Sequence, residues 1–293
     1  PTTAEVDVEF ERVWRNLAGR SIEDLLDLQE MTDPEMQAAM GVLAVLYAPA
    51  LFTDSNLVHL HLCHMVNMTL EYGTSPASPA GYAWFGVVVG SRLDRYMDGY
   101  RFAKLACDLV DKLGLVAYRA KVHFSTEMTA VWAQRVSTAL DSIRAAHVAA
   151  VEGGDLTMAC YSCNHTVTDL LLRGDPLDEV WLESEHGLDF ARKAKFRDVI
   201  DVIIAQQRFI QNMRGRTPDF SSFGDAAFDA AAFEAELTEE RMATMVCWYW
   251  IIKLQARFLS GDYAVAREAA RKAEALLWSS DGHIQLLDYH FYA

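Results

Sequence analysis

The sequence predicts an all-α protein built as a solenoid of stacked helix pairs, and three observations carry that prediction. Apolar runs of helical length alternate with short turn signals at steps of about 40 residues. The clearest unit runs from Met242 to Ser280, where MATMVCWYWIIKLQARFL is stopped by Ser260-Gly261-Asp262-Tyr263 and followed by the amphipathic, alanine-rich AVAREAARKAEALL. Helix starts are marked as well. Thr32-Asp33-Pro34-Glu35 offers an N-cap, a proline at the first helical position and an early acid, and Asp175-Pro176 with Asp178 and Glu179 repeats the device. Finally, no Val/Ile/Thr alternation of strand type persists anywhere in the chain.

Taken in order, the pattern predicts helix pairs at 34–50 with 55–72, 78–94 with 98–113, 116–133 with 137–152, and 155–173 with 176–194. A helix at 196–213, a pair at 239–259 with 263–278 and a last helix from 283 complete the series. Gly73, Gly99, Gly114, Gly153, Gly154, Gly174 and Gly261 stand at the joints, where a left-handed backbone is cheap for glycine. One stretch breaks the rhythm. Residues 215–238 form an irregular aromatic insertion that opens GRTPDFSSFGDAAFDAAAFEAEL; four phenylalanines make it a segment that packs on the array rather than a loose linker. Within it Phe220 and Phe223 precede a short helix expected from Asp225.

The composition narrows the function classes. Residues 1–293 read as one continuous domain, because each unit of a repeat array needs only its neighbours. The longest apolar run, Gly41 to Phe52, is far short of the ~20 residues a membrane helix needs. A formal net charge of −15 without a basic cluster disfavours nucleic acid and anionic membranes. The five cysteines fall in apolar helical runs and no signal peptide precedes them, which points to reduced thiols in the cytoplasm. The chain opens on Pro1 and its final HIQLLDYHFYA stops inside an apolar pattern without a cap, so a segment of a longer protein is expected.

Candidate chemistry is sparse. Gly86-Val-Val-Val-Gly90-Ser91 lacks the P-loop lysine and sits in an apolar helix, and no GxSxG, HExxH or kinase HRD and DFG pair occurs. Of His59, His61, Cys63 and His64, only His59 and Cys63 share a helix face, where structural zinc wants four ligands. Cys160-Tyr-Ser-Cys163 has neither a second pair at zinc spacing nor a preceding strand. No catalytic residue, metal site or cofactor is therefore expected. Trp248 and Trp250 lie about 200° apart on a helix, so one is expected to face outward, and Trp248 is the one assigned to exposure.

Trp250, Gly261, Tyr263, Ala266 and Ala273, at 0, +11, +13, +16 and +23, resemble the tetratricopeptide spacing of a bulky knob, a turn glycine and small packing residues. Lys253, Leu254 and His186 depart from that consensus. By this resemblance the fold is a tetratricopeptide-like α-α superhelix whose first helices line a concave face. Carried over from Trp250 and Gly261, the pattern turns Trp248 and Gln255 inward; from Gly174 it turns Tyr161, Asn164 and Thr168 inward. These five are the candidate partner- or ligand-facing residues, with ordinary inter-repeat packing as the alternative.

Longer stretches carry a second resemblance. SIEDLLDLQEMTDPEMQAAMGVLAVLYAPALFTD, CNHTVTDLLLRGDPLDEVW, and MATMVCWYWIIKLQARFLSGDY followed by ALLWSS resemble the helical-repeat region of large bacterial multidomain sensor kinases. Those proteins carry a serine/threonine-kinase-like domain, an AAA-type ATPase, the repeat region, a GAF domain and a histidine kinase. The resemblance implies a non-catalytic regulatory or scaffolding domain whose partners are proteins or other domains of its own chain. A small-ligand sensor that binds a metabolite in the groove is the alternative.

Overall fold

The computed structural model describes residues 1–51 and 53–293, and at Ala48 the backbone alone. Phe52, which ends the longest apolar run, lies outside the described residues. The fold is all-α. Among the described residues no strand forms; the β-type pairings are two isolated bridges, Glu30 with Thr74 and Asp225 with Phe228. The chain divides into two compact units, Pro1–Gly154 and Asp155–Ala293.

Unit 1 contains α1 (Thr3–Leu17), α2 (Pro34–Leu51), α3 (Ser55–Tyr72), α4 (Ser78–Leu93), α5 (Tyr96–Leu113), α6 (Val116–Ala133) and α7 (Val136–Gly153), with a 3-10 turn at Glu23–Asp27. The sequence pattern had placed no helix before Pro34, yet the start of α1 is well specified. Thr2 and Glu5 form a capping box, with Glu5 N–H donating to Thr2 Oγ1 at 3.3 Å and Thr2 N–H to Glu5 Oε2 at 2.7 Å. Val6, Phe10 and Val13 recur at helical spacing and form its buried face. That face packs on α3.

Consecutive helices pack as hairpins, most extensively α4 with α5 and α6 with α7. The α4–α5 contact has a specific cause. A Cβ added at Gly86 would collide with the Gly99 carbonyl oxygen, and one at Gly99 with that of Gly86. Two glycines thus let the backbones touch, so Gly99 serves helix packing inside α5 and not a joint. It also explains the apolar Gly-Val-Val-Val-Gly run of α4. Around this contact Phe85 stands 5.6 Å from Phe10 and 5.2 Å from Phe102, ring centre to ring centre, with Tyr82 5.9 Å from Phe102. Burying such rings is worth ~1.5–3 kcal/mol each, before the entropy of ordering them is subtracted.

Unit 2 contains α8 (Leu156–Arg173), α9 (Leu177–Lys193), α10 (Arg197–Met213), α11 (Ala230–Ala235), α12 (Ala243–Leu259), α13 (Tyr263–Glu274) and α14 (Gln285–Tyr292), with a 3-10 turn at Leu277–Ser280. Pairs form between α8 and α9 and between α12 and α13, while α10 packs on α8, α9 and α12. Gly261 makes the α12–α13 turn at φ +79°, in the left-handed region, and Asp262 caps α13 by accepting from Val265 N–H at 3.3 Å.

Between α10 and α12 the aromatic insertion lies against both helices. Arg208 of α10 donates to Phe223 O at 2.7 Å and pairs with Asp225 at 2.5 Å. Asn212 Nδ2 donates to Phe220 O at 3.1 Å and Ser222 O at 3.2 Å. Phe223 is fully buried, and its ring and that of Phe233 meet Tyr249 of α12 at 6.4 and 5.3 Å. Phe220 is exposed. The short helix begins at Ala230, later than the pattern indicated, because Asp225 and Phe228 close a tight turn first. Asp229 then caps it.

Candidate functional site

Helix α12 is apolar on nearly every side, and unit 2 surrounds it accordingly. Trp248 and Trp250 are both buried, at 5% and 6% exposure, which corrects the expectation that Trp248 faces outward. The two sides of the helix meet different partners. Trp250 lies under the ammonium groups of Lys253 (5.3 Å) and Lys272 (4.0 Å) as cation–π contacts. On the other side Trp248 stands edge-on to His283 at 5.0 Å and to His165 at 5.6 Å, and the two imidazoles are 5.8 Å apart.

Beside this triad lies a layer of amides. Gln206 of α10 donates from Nε2 to the Asn164 carbonyl and to Thr168 Oγ1, each at 2.9 Å. Gln285 of α14 donates to the same Thr168 oxygen at 3.4 Å. Asn164, Thr168 and Trp248, three of the five candidate residues, therefore border one polar core. The other two stand apart. Tyr161 packs on Phe196 at 5.2 Å, with burial raising its hydroxyl to about 12, and Gln255 reaches Tyr292 Oη at 3.5 Å. Sequence reasoning missed His165, Gln206, His283 and Gln285. For His165, Gln206 and Gln285 the signal was a polar interruption of an otherwise apolar helical face, whereas His283 lies in the turn before α14.

The electrostatics are those of a dry interior. Burial lowers both His165 and His283 to about 3, and His283 is lowered further by the neighbouring His165, so both rings are neutral near pH 7. The Trp248 indole N–H, Asn164 Nδ2, Gln206 Oε1 and Gln285 Oε1 find no protein partner among the described residues. Each such atom costs about 1–3 kcal/mol if left unsatisfied. The arrangement can hold helices in register or accept a small polar guest. It presents no activated nucleophile: burial raises the nearby thiols, Cys247 to about 11 and Cys163 to about 12.

The histidines of α3 meet different neighbours. His59 is buried edge-on to Phe10 at 6.5 Å, and His64 lies 3.8 Å from Glu9. Among the described residues no three His, Cys, Asp or Glu side chains stand close enough to hold a metal ion. Nor, among those residues, is any helix long and apolar enough to cross a membrane.

No family model matches the chain, and no solved structure does. One curated protein is similar to it: "Hybrid signal transduction histidine kinase G" of Dictyostelium discoideum, 25% identical over 195 residues. The likeness is to a signalling kinase. It covers 63% of this chain but only 6% of that relative's length, so the chain is distantly similar to a small part of a signal-transduction protein.

Proposed function

We propose that this chain is a non-catalytic regulatory and scaffolding domain of a signal-transduction kinase, working in the cytoplasm by contact with protein surfaces. The carrying observation is the likeness to the hybrid histidine kinase over 195 residues of a chain built mainly from helices. Helix-pair arrays ordinarily hold partners. Exposed apolar faces support the reading. On α2, Val42, Val45 and Leu46 stand in solvent, Val45 at 74% exposure. In unit 2, Phe258, Tyr263 and Tyr292 cluster at 5.3–5.6 Å beside Phe291, itself 72% exposed. Apolar patches of this kind mark interaction sites on soluble proteins. The acidic balance, −15 overall, disfavours nucleic acid as the partner.

Hydrogen exchange tests the reading by comparing residues 1–293 alone with the native gene product. Amides of α2 and α14 should exchange more slowly in the native product, and Val45→Asp or Phe291→Asp should abolish that protection locally. Equal exchange in the two proteins would overturn the scaffold reading. The alternative, a small-ligand sensor, is favoured by one observation, a cavity beside α12.

A further inference from the structure

That cavity, about 260 Å³, lies entirely within unit 2. One wall is the docked insertion, with Ser221, Ser222, Phe223, Ala231 and Glu234, and the other is the α12–α13 corner, with Lys253, Arg257, Asp262 and Val265. Its volume is below the ~300 Å³ at which ligand pockets ordinarily begin, a size for a small metabolite rather than a nucleotide.

The charges lining it are unevenly committed. Glu234 accepts from Lys253 Nζ at 2.6 Å and from the Tyr249 hydroxyl at 2.5 Å, so that cation and that anion satisfy each other. Arg257 has no such partner. Its residue is only 3% exposed, yet among the described residues no carboxylate comes within ion-pair distance, and its hydrogen bonding is one contact from Nη1 to Phe220 O at 3.3 Å. The guanidinium rests 4.8 Å from the Phe223 ring centre, a stacking that fixes its plane. Burial lowers its proton affinity, which the surrounding acids do not restore. A buried guanidinium without a carboxylate is costly, and its fork of N–H donors matches a planar carboxylate. Asp262 is the complementary case. Its carboxylate caps α13 through Val265 N–H and pairs with no cation among the described residues.

We propose that this cavity binds a small zwitterion of the α-amino-acid type, its carboxylate on Arg257 and its ammonium on Asp262. With Lys253 and Glu234 paired, the remaining lining carries one positive and one negative charge, which a zwitterion matches. A phosphate dianion would meet Glu234 and Asp262 as like charges. The site stands independently of the scaffold reading, since none of its residues belongs to the exposed faces on which that reading rests.

The test is thermal shift and calorimetry on residues 1–293 with the common L-amino acids, using acetate, methylamine and inorganic phosphate as single-charge and phosphate controls. At least one amino acid should raise Tm by mass action, while acetate and methylamine at the same concentration should not. Arg257→Gln should weaken that binding roughly 10-fold or more. Ala231 is exposed, so Ala231→Trp should fill the cavity without touching the core and abolish binding in a folded protein, which keeps the test intact if Arg257→Gln misfolds. Asp262→Asn, which retains the helix cap, should lose the preference for zwitterions over simple carboxylates. The proposal is overturned if no amino acid shifts Tm, if the shift survives Ala231→Trp, or if acetate or phosphate binds as well.

Discussion

In unit 1 the inward faces of α1, α4 and α5 meet through Phe10, Phe85, Phe102 and Tyr82 over a bare glycine contact. In unit 2 the inward faces of α8, α10, α12 and α14 meet through His165, Gln206, Trp248 and Gln285. Both regions use the same alternation of helices, yet the forces differ. An apolar core gains in proportion to area removed from water and is indifferent to pH. A polar core returns its desolvation cost only where every donor finds an acceptor, and where its imidazoles stay neutral. Unit 1 should therefore respond to lost volume, and unit 2 to lost neutrality.

The largest effect is expected from Phe85→Ala. The ring is wholly buried between Phe10 and Phe102, and its removal should cost ~3–5 kcal/mol in denaturant unfolding. A loss below about 1 kcal/mol would mean that the aromatic core of unit 1 is not packed as described.

Acid comes next and should strike unit 2. Both histidines have folded values far below the ordinary 6.5, so the unfolded chain binds protons that the folded core refuses. Their contribution to stability is fully present above pH 6.5 and is lost as pH falls from there toward about 3. Between pH 6.5 and pH 5 the loss should be on the order of 2–3 kcal/mol, reduced in a variant carrying His165→Gln and His283→Gln. Unit 1 has partly exposed histidines, His61 and His123, also lowered by burial, so the double variant is what separates the two regions. An unchanged acid slope in that variant would remove the distinction.

Smaller changes sharpen the comparison. Gly261→Val forces a β-branched residue to φ +79° and should cost about 1–3 kcal/mol, a backbone penalty rather than a clash at the added Cβ, which has nothing within 4 Å of it. Tyr82→Phe should be within about 1 kcal/mol of neutral, because the buried hydroxyl it removes has no partner among the described residues. A marked loss from Tyr82→Phe would show that this hydroxyl is satisfied in solution.

Much of the fold was legible because helix lengths and stops are local properties. Ser260-Gly261-Asp262 stops α12 where the pattern said it would, and Pro34 opens α2 as the first helical residue. The helix α1 was equally available, since Thr2 and Glu5 spell a capping box ahead of Val6, Phe10 and Val13. The environment of Trp248 was not. A helical wheel assigns one buried face, whereas α12 is enclosed on several sides by helices that adjoin it only through tertiary packing. For the same reason the candidate residues separated: Asn164, Thr168 and Trp248 border one core because α10 and α14 supply Gln206 and Gln285 from more than 30 positions away. The cavity beside Arg257 was invisible for a further reason. It exists only once the irregular insertion lies on α12, and no periodicity encodes that docking.

The most direct test of the contrast between the two cores is a proton NMR titration of the histidine side chains from pH 8 to pH 4, with His165→Gln and His283→Gln variants to assign the signals. Both imidazoles should remain neutral down to at least pH 5, held there by burial against Trp248. Titration of either buried ring near the ordinary histidine value of 6.5, in protein that remains folded, would contradict the polar core described for unit 2.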